Sequence, residues 1–182
     1  WRGYDWGSGG RDWEAGQNPL PEYADIRAFA LFADIDLESD VKRLRPDGDA
    51  PQDMIETALS AYIDAFARLA GSPRHVFVLD SDGGAYAFVA PTATRPIAEA
   101  FGPADRGRIF EDMTDRMNEW LDGVNKEVHD AVPGAVGVFE ADCVNNKNRL
   151  FKAPLSIHGS LDGVVTPVDP QNPRYEYTPL AD

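Results

Sequence analysis

Cysteine is almost absent from this chain of 182 residues, and Cys143 is the single example. One cysteine excludes an intrachain disulfide and a zinc site built from several cysteines. Long apolar runs are also missing. The longest, residues 28–33, ends at Asp34 and falls far short of the ~20 apolar residues that a membrane helix needs. We therefore expect a cytoplasmic protein with no membrane partner.

Lysine is the next scarce residue type, with 4 copies against 13 arginines. Acidic residues number 31 and basic residues 17, which gives a formal net charge of −14. Such an aspartate-rich surface is halophile-like, because dense carboxylates keep a protein hydrated in high salt. A GC-rich genome is the alternative explanation. The net charge repels nucleic acid at low salt, so a nucleic-acid function needs a local basic site or screening.

The order of extended and helical patterns predicts an α+β fold. Strands are predicted at 26–37, 76–79, 85–89 and 135–141, with shorter ones near 150–152 and 164–168. Helices are predicted from Pro51 to the stop at Gly71 and from Asp105 to Val128. The resulting split β-α-β-β-α-β core is ferredoxin-like (RRM-like), with one antiparallel sheet, two helices on one face, and flanking strands. We expect one domain at 22–170, an N-terminal flank at 1–21 and an exit segment at 171–182.

Two aspartates, Asp34 and Asp36, alternate along the first predicted strand, which puts both side chains on one face. Neighbouring carboxylates repel each other unless a cation lies between them, and Mg²⁺ and Mn²⁺ prefer oxygen ligands. The alternative is the solvated face of an amphipathic strand, since Asp-x-Asp arises by chance among 21 aspartates. Asp142 can complete a three-carboxylate metal site if its strand neighbours the first.

Two further segments carry groups that can hold phosphate. The turn at 81–84 offers a serine hydroxyl and backbone N–H groups, although a plain hairpin turn is the interpretation we favour for this segment alone. The stretch 142–159 concentrates two of the four lysines with an arginine and a histidine. Arg149, Lys152 and His158 can clamp a triphosphate. The alternative is a surface loop whose cations neutralise nearby aspartates.

Taken in order, these segments resemble the archaeo-eukaryotic primase superfamily. Residues 31–36 (LFADID) match the apolar-Asp-x-Asp strand of that family. Residues 149–159 (RLFKAPLSIHG) are similar to the Arg-Leu-Ile-Arg-Leu-Pro-Gly-Ser-Leu-His-Gly stretch of archaeal primase catalytic subunits, and residues 148–152 to the Asn-Arg-x-Phe-Arg of primase-polymerases. Asp142, 16 residues before His158, lies close to the place of the family's third metal carboxylate.

The sequence departs from that family at two positions near the phosphate site. Tyr86 stands where the second motif of the family ends in histidine, and Ser160 stands where a lysine often follows the His-Gly pair. Both changes remove positive charge, because a tyrosine hydroxyl donates a hydrogen bond but is neutral at pH 7. The cysteine cluster of cellular archaeal primases is also absent, which points towards a plasmid, viral or other mobile-element relative.

The resemblance implies a DNA primase or primase-polymerase domain: a template-dependent nucleotidyltransferase that uses Mg²⁺ or Mn²⁺, a single-stranded DNA template and NTPs or dNTPs. It suggests a helicase or another replication domain beyond the ends. The implied catalytic and metal-binding residues are Asp34, Asp36 and Asp142. The implied nucleotide-binding residues are Ser81, Gly83, Gly84, Tyr86, Arg149, Lys152, Ser156 and His158.

Two other functions stay open on the same scaffold. One is a replication module that binds DNA or a nucleotide with reduced turnover, as Tyr86 and Ser160 suggest. The other is a divalent-metal nuclease or phosphoesterase that uses the same aspartates.

Overall fold

The computed structural model describes residues 31–89, 109–143, 152–158, 163–171 and 173–174. The helices among these residues are α1 (Ser39–Leu44), α2 (Gln52–Ala70) and α3 (Ile109–Ala131). The strands are β1 (Leu31–Leu37), β2 (Val76–Asp80), β3 (Gly84–Val89), β4 (Phe139–Asp142), β5 (Ile157–His158), β6 (Gly163–Val164) and β7 (Thr166–Val168). The predicted flank at 1–21, the first part of the predicted strand at 26–37 and most of 171–182 lie outside the described residues.

A five-stranded sheet organises the chain, with strand order β4-β1-β3-β2-β7. Every neighbouring pair in this sheet is antiparallel. Strands β5 and β6 form a separate two-stranded ladder. The predicted α+β class is therefore confirmed as a mixed fold with an antiparallel sheet and helices. None of the helices within the described ranges combines the length and the apolar character needed to cross a membrane.

The main core lies between one sheet face and the two long helices. Successive strand side chains point to opposite faces, and Ala33 and Ile35 of β1 are fully buried against the helices. Helix α2 presents a stripe at three- and four-residue steps and ends at Gly71, which adopts the left-handed conformation (φ 75°) that favours glycine. The buried members of that stripe are Ile55, Ala58, Leu59, Tyr62, Ile63, Ala65 and Phe66.

Several elements differ from the sequence-based prediction in their presence or their bounds. The strand predicted at 135–141 is wrong in its first half, because Pro133–Ala135 form a 3₁₀ turn and Gly137 has a positive φ of 67°. Helix α1 was not predicted; its first turn is capped by the Glu38 carboxylate, which accepts from the Asp40 N–H at 2.6 Å. The short strand predicted at 164–168 is present as β6 and β7, and β7 extends the main sheet beside β2.

Gly84 is a position where a side chain would collide with the sheet. It pairs with Asp36, and a Cβ placed on it would overlap the Ile35 carbonyl oxygen and lie 3.1 Å from the Asp36 Cα. We expect Gly84→Ala to lower the free energy of unfolding by about 1–3 kcal/mol, the range for overpacking, in urea titrations. Gly123→Ala is the matched control. Gly123 is exposed in α3 with open space around its Cβ position, so alanine should stabilise by up to about 1 kcal/mol. Equal effects of the two changes would contradict the prediction.

Candidate active site

The strand register gathers four carboxylates on the sheet face opposite α2 and α3. Asp34 of β1 lies directly across from Asp142 of β4, and Asp36 lies across from Glu140. Residues that face each other on antiparallel strands project to the same side, with Cβ atoms about 4.5–5.5 Å apart. The three aspartates singled out in the sequence therefore share one face, and Asp142 reaches it through the pairing of β4 with β1.

The charge of this acidic face is partly balanced by Lys42 of α1. Its Nζ lies 3.0 Å from Asp36 Oδ1, and both side chains remain accessible to solvent. Asp34 and Asp142 place like charges directly opposite each other on the sheet, and a cation bound between them would be attracted to both carboxylates. As arranged, no three His, Cys, Asp or Glu side chains in the described part of the chain converge closely enough to hold a metal ion. The donor set itself is all oxygen, which suits Mg²⁺ or Mn²⁺.

Lys152 joins the acidic face from the basic stretch. Its Nζ lies 3.3 Å from the hydroxyl oxygen of Tyr86 and 5.7 Å from the centroid of the Tyr86 ring. Tyr86 belongs to β3 and pairs with Asp34 on the side of β1 that faces away from β4. Burial lowers the pKa of the Lys152 ammonium; the charges of Asp34 and Asp36 oppose that shift, whereas Lys42 adds to it. The protein thus brings a half-buried lysine into the field of the two aspartates.

The predicted phosphate turn is tightly hydrogen-bonded within itself. The Ser81 N–H and hydroxyl both donate to the Gly84 carbonyl, at 2.9 and 3.0 Å. The Gly83 carbonyl accepts from the Leu37 N–H at 3.3 Å. Ser81, Gly83 and Gly84 are all buried, and the segment is the connection of the β2–β3 hairpin. The Ser81 hydroxyl is therefore engaged in shaping the turn.

The remaining predicted nucleotide contacts lie on the segment after β4. Ser156 accepts at its carbonyl from the Val165 N–H at 2.9 Å, and its buried Oγ has no hydrogen-bond partner among the described residues. The backbone of His158 pairs with Gly163 in the β5–β6 ladder. Arg149 lies outside the described residues, so its predicted role stays a prediction.

A buried ionic cluster, which the sequence analysis did not predict, lies behind the turn. The guanidinium of Arg45 binds both carboxylate oxygens of Asp80, at 3.1 and 3.0 Å, and its Nη1 is 3.6 Å from Asp82 Oδ1. All three side chains are at most 2% exposed. Burial raises the pKa of the Asp80 carboxyl, and the hydrogen bonds from Arg45 oppose that effect. Asp80 also accepts from the Asp82 N–H at 2.7 Å, which fixes the start of the turn.

Comparisons with protein-family models, with curated proteins and with solved structures found no match to this chain. The chemistry of the candidate site therefore rests on the residues of the chain itself.

Proposed function

We propose that this chain is the catalytic domain of a DNA primase or primase-polymerase of the archaeo-eukaryotic type, a metal-dependent nucleotidyltransferase. The observation that carries the proposal is the pairing of Asp34 with Asp142 across β1 and β4, with Lys152 within the field of the same acidic face. Nucleotidyl transfer needs carboxylates for divalent ions and cations for a triphosphate tail in one place.

The connectivity of the sheet supports a split β-α-β-β-α-β core for the proposed domain. Along the chain, β1 connects to β2 through α1 and α2, and β3 connects to β4 through α3. In the sheet, these four strands lie in the order β4-β1-β3-β2. That arrangement is the one expected of a split β-α-β-β-α-β core, with β7 as a flanking strand. It places the two acid-bearing strands beside each other, where a shared site requires them.

Each group has a distinct role in the proposed reaction. Asp34, Asp36 and Asp142 would hold Mg²⁺ or Mn²⁺, which supplies activation of a 3′-hydroxyl and stabilises charge on the phosphates. Lys152, with Arg149 and His158, would bind the triphosphate, and the hydroxyl of Tyr86 keeps Lys152 in position. Asp36, which pairs with Lys42 in the structure, would contribute its carboxylate to the ion, and the Lys42 ammonium would then be available to a phosphate oxygen.

The acidic surface fits this function when salt is high. In molar salt the screening length falls to about 3 Å, so long-range repulsion of DNA is removed while contact pairs inside the site persist. The proposal places the protein in the cytoplasm beside other replication proteins, with a helicase or accessory domain as the expected partner.

A synthesis assay tests the proposal directly. Purified protein is mixed with single-stranded DNA, NTPs or dNTPs and Mn²⁺ or Mg²⁺, at low and high KCl, with and without an annealed primer. We expect template-dependent products that require the divalent ion and are more abundant at high KCl. Omission of template is the control. Absence of any product at every salt concentration, with protein shown to be folded, would reject the enzymatic function.

The second candidate is a nucleotide- or DNA-binding replication module with reduced turnover. The engagement of Asp36 by Lys42 and the neutral Tyr86 beside the acidic face favour it. Binding of a labelled nucleotide or of single-stranded DNA without synthesis would select this function. Degradation of labelled DNA in the absence of nucleotides would instead indicate a metal-dependent nuclease that uses the same aspartates.

A further inference from the structure

Two asparagines of α3 bind the edge of β4 that faces away from β1. Asn118 accepts from the Cys143 N–H through Oδ1 at 2.8 Å and donates to the Cys143 carbonyl through Nδ2 at 2.9 Å. Asn125 makes the same pair of bonds to Ala141, at 3.0 and 2.9 Å. Each carboxamide therefore satisfies both backbone groups of one residue, as a neighbouring strand would do.

The residues bound in this way flank Asp142 on both sides. Backbone groups of successive strand residues alternate between the two edges, so Ala141 and Cys143 direct theirs to α3 while Asp142 directs its own to β1. The β4 strand has only four residues and is an edge strand of the five-stranded sheet. A strand this short has few ladder bonds of its own, and a slip by one residue would move Asp142 to the opposite face.

Neighbouring side chains hold the Asn125 carboxamide and the start of β4. The Tyr62 hydroxyl of α2 lies 2.6 Å from Asn125 Oδ1 and 3.2 Å from the Phe139 carbonyl oxygen. His129 Nε2 lies 3.2 Å from the same carbonyl oxygen. The Tyr62 ring also packs edge-on against Phe139, with centroids 5.8 Å apart. Three alternate residues of the β4 segment, Phe139, Ala141 and Cys143, are thus bound by helix side chains through the backbone groups that they direct to the outer edge of the sheet.

We infer that Asn118 and Asn125 are positioning residues that fix the register of β4 and so hold Asp142 opposite Asp34. The carboxamides touch neither the acidic face nor a ligand on it, and they act only through the strand backbone. The link from this register to metal binding rests on the proposed function. Loss of either carboxamide should therefore weaken divalent-ion binding without removing a ligand.

The test measures Mn²⁺ binding and strand register separately on folded protein. Asn118→Ala and Asn125→Ala are compared with Glu119→Ala, an exposed α3 residue beside Asn118. We expect the Mn²⁺ dissociation constant, measured by electron paramagnetic resonance, to rise about tenfold in the asparagine variants, by analogy with the loss of groups that orient metal ligands. The control should keep the wild-type constant. Raising the Mn²⁺ concentration should restore synthesis in the asparagine variants, because all three carboxylates are still present.

Register is read by NMR from the Hα–Hα contact between Ile35 and Ala141, a pair that faces each other across β1 and β4. We expect this contact to weaken in the asparagine variants and to persist in the control. Tyr62→Phe removes only the hydroxyl beside Asn125 and is the milder variant to use if an alanine variant does not fold. It should raise the Mn²⁺ dissociation constant and weaken the Hα–Hα contact, as the alanine variants do.

Folded variants that keep the wild-type contact and the wild-type Mn²⁺ constant would overturn the inference. A wild-type protein that binds no Mn²⁺, with register still lost in the variants, would reject the proposed function and leave the positioning role supported.

Discussion

Asp34→Asn or Asp142→Asn is expected to reduce metal-dependent nucleotide incorporation roughly 100-fold or more, because the charge stabilisation a bound metal supplies is worth several kcal/mol and each 1.36 kcal/mol is a factor of ten. Asparagine keeps the shape of aspartate but removes the negative charge that the cation needs. Initial rates of primer extension in Mn²⁺ and in Mg²⁺ are the measurement.

The same substitutions should also change how strongly Mn²⁺ stabilises the protein. The ion should stabilise the wild-type protein more than either variant, because each variant lacks one of the two carboxylates that face each other across the β1–β4 ladder. At 100 times its dissociation constant the ion adds about 2.7 kcal/mol to the wild-type protein, and it should add much less to either variant.

Asp122→Asn provides the matched control for both measurements. Asp122 is an exposed residue of α3, away from the sheet face that carries the acids. It should change neither the rate nor the response of stability to Mn²⁺. Wild-type incorporation by Asp34→Asn or Asp142→Asn would remove the metal site from the proposal, whatever the stability data showed.

The parts of the fold that the sequence predicted well are those encoded by local patterns. Helix α2 has a long apolar stripe, a proline before it and a glycine after it, and the prediction agrees with its observed bounds. The β2–β3 hairpin is signalled by two apolar runs around a glycine pair. The pairing of Asp34 with Asp142 depends on contacts across 108 residues of sequence, and it was proposed only as a condition on neighbouring strands.

Among the features that the sequence did not predict, those nearest the candidate site are polar contacts between distant segments. Arg45 meets Asp80 across 35 residues, and nothing near Arg45 marks it as a buried side chain. Asn118 and Asn125 sit on a helix whose hydrophobic pattern is clear, yet their spacing does not tell which strand edge they bind. Pattern analysis reads the periodicity of apolar residues, whereas these bonds depend on the final placement of one element against another.

Arg45→Met is expected to cost about 3–5 kcal/mol of unfolding free energy at neutral pH, the range for breaking a buried ion pair by removing one partner. Methionine fills much of the volume of arginine, so the loss reports the charge and hydrogen bonds more than packing. Urea or thermal unfolding is the measurement. Arg43→Met is the control, because the pair of Arg43 with Asp40 is exposed and should contribute well under 1 kcal/mol.

The loss of unfolding free energy in Arg45→Met, its stability deficit, should depend on pH in a direction set by the buried Asp80 carboxyl. Burial already raises the pKa of Asp80, and without the guanidinium that opposes this effect the folded-state pKa rises further above the unfolded value. A carboxyl with a raised folded-state pKa favours folding while it is protonated, and that contribution is lost as pH rises through the folded-state value. The deficit should therefore be smallest at acid pH and grow towards neutrality. A deficit that is independent of pH would mean that Arg45 stabilises the turn through packing alone, and the ionic account of Asp80 and Asp82 would fail.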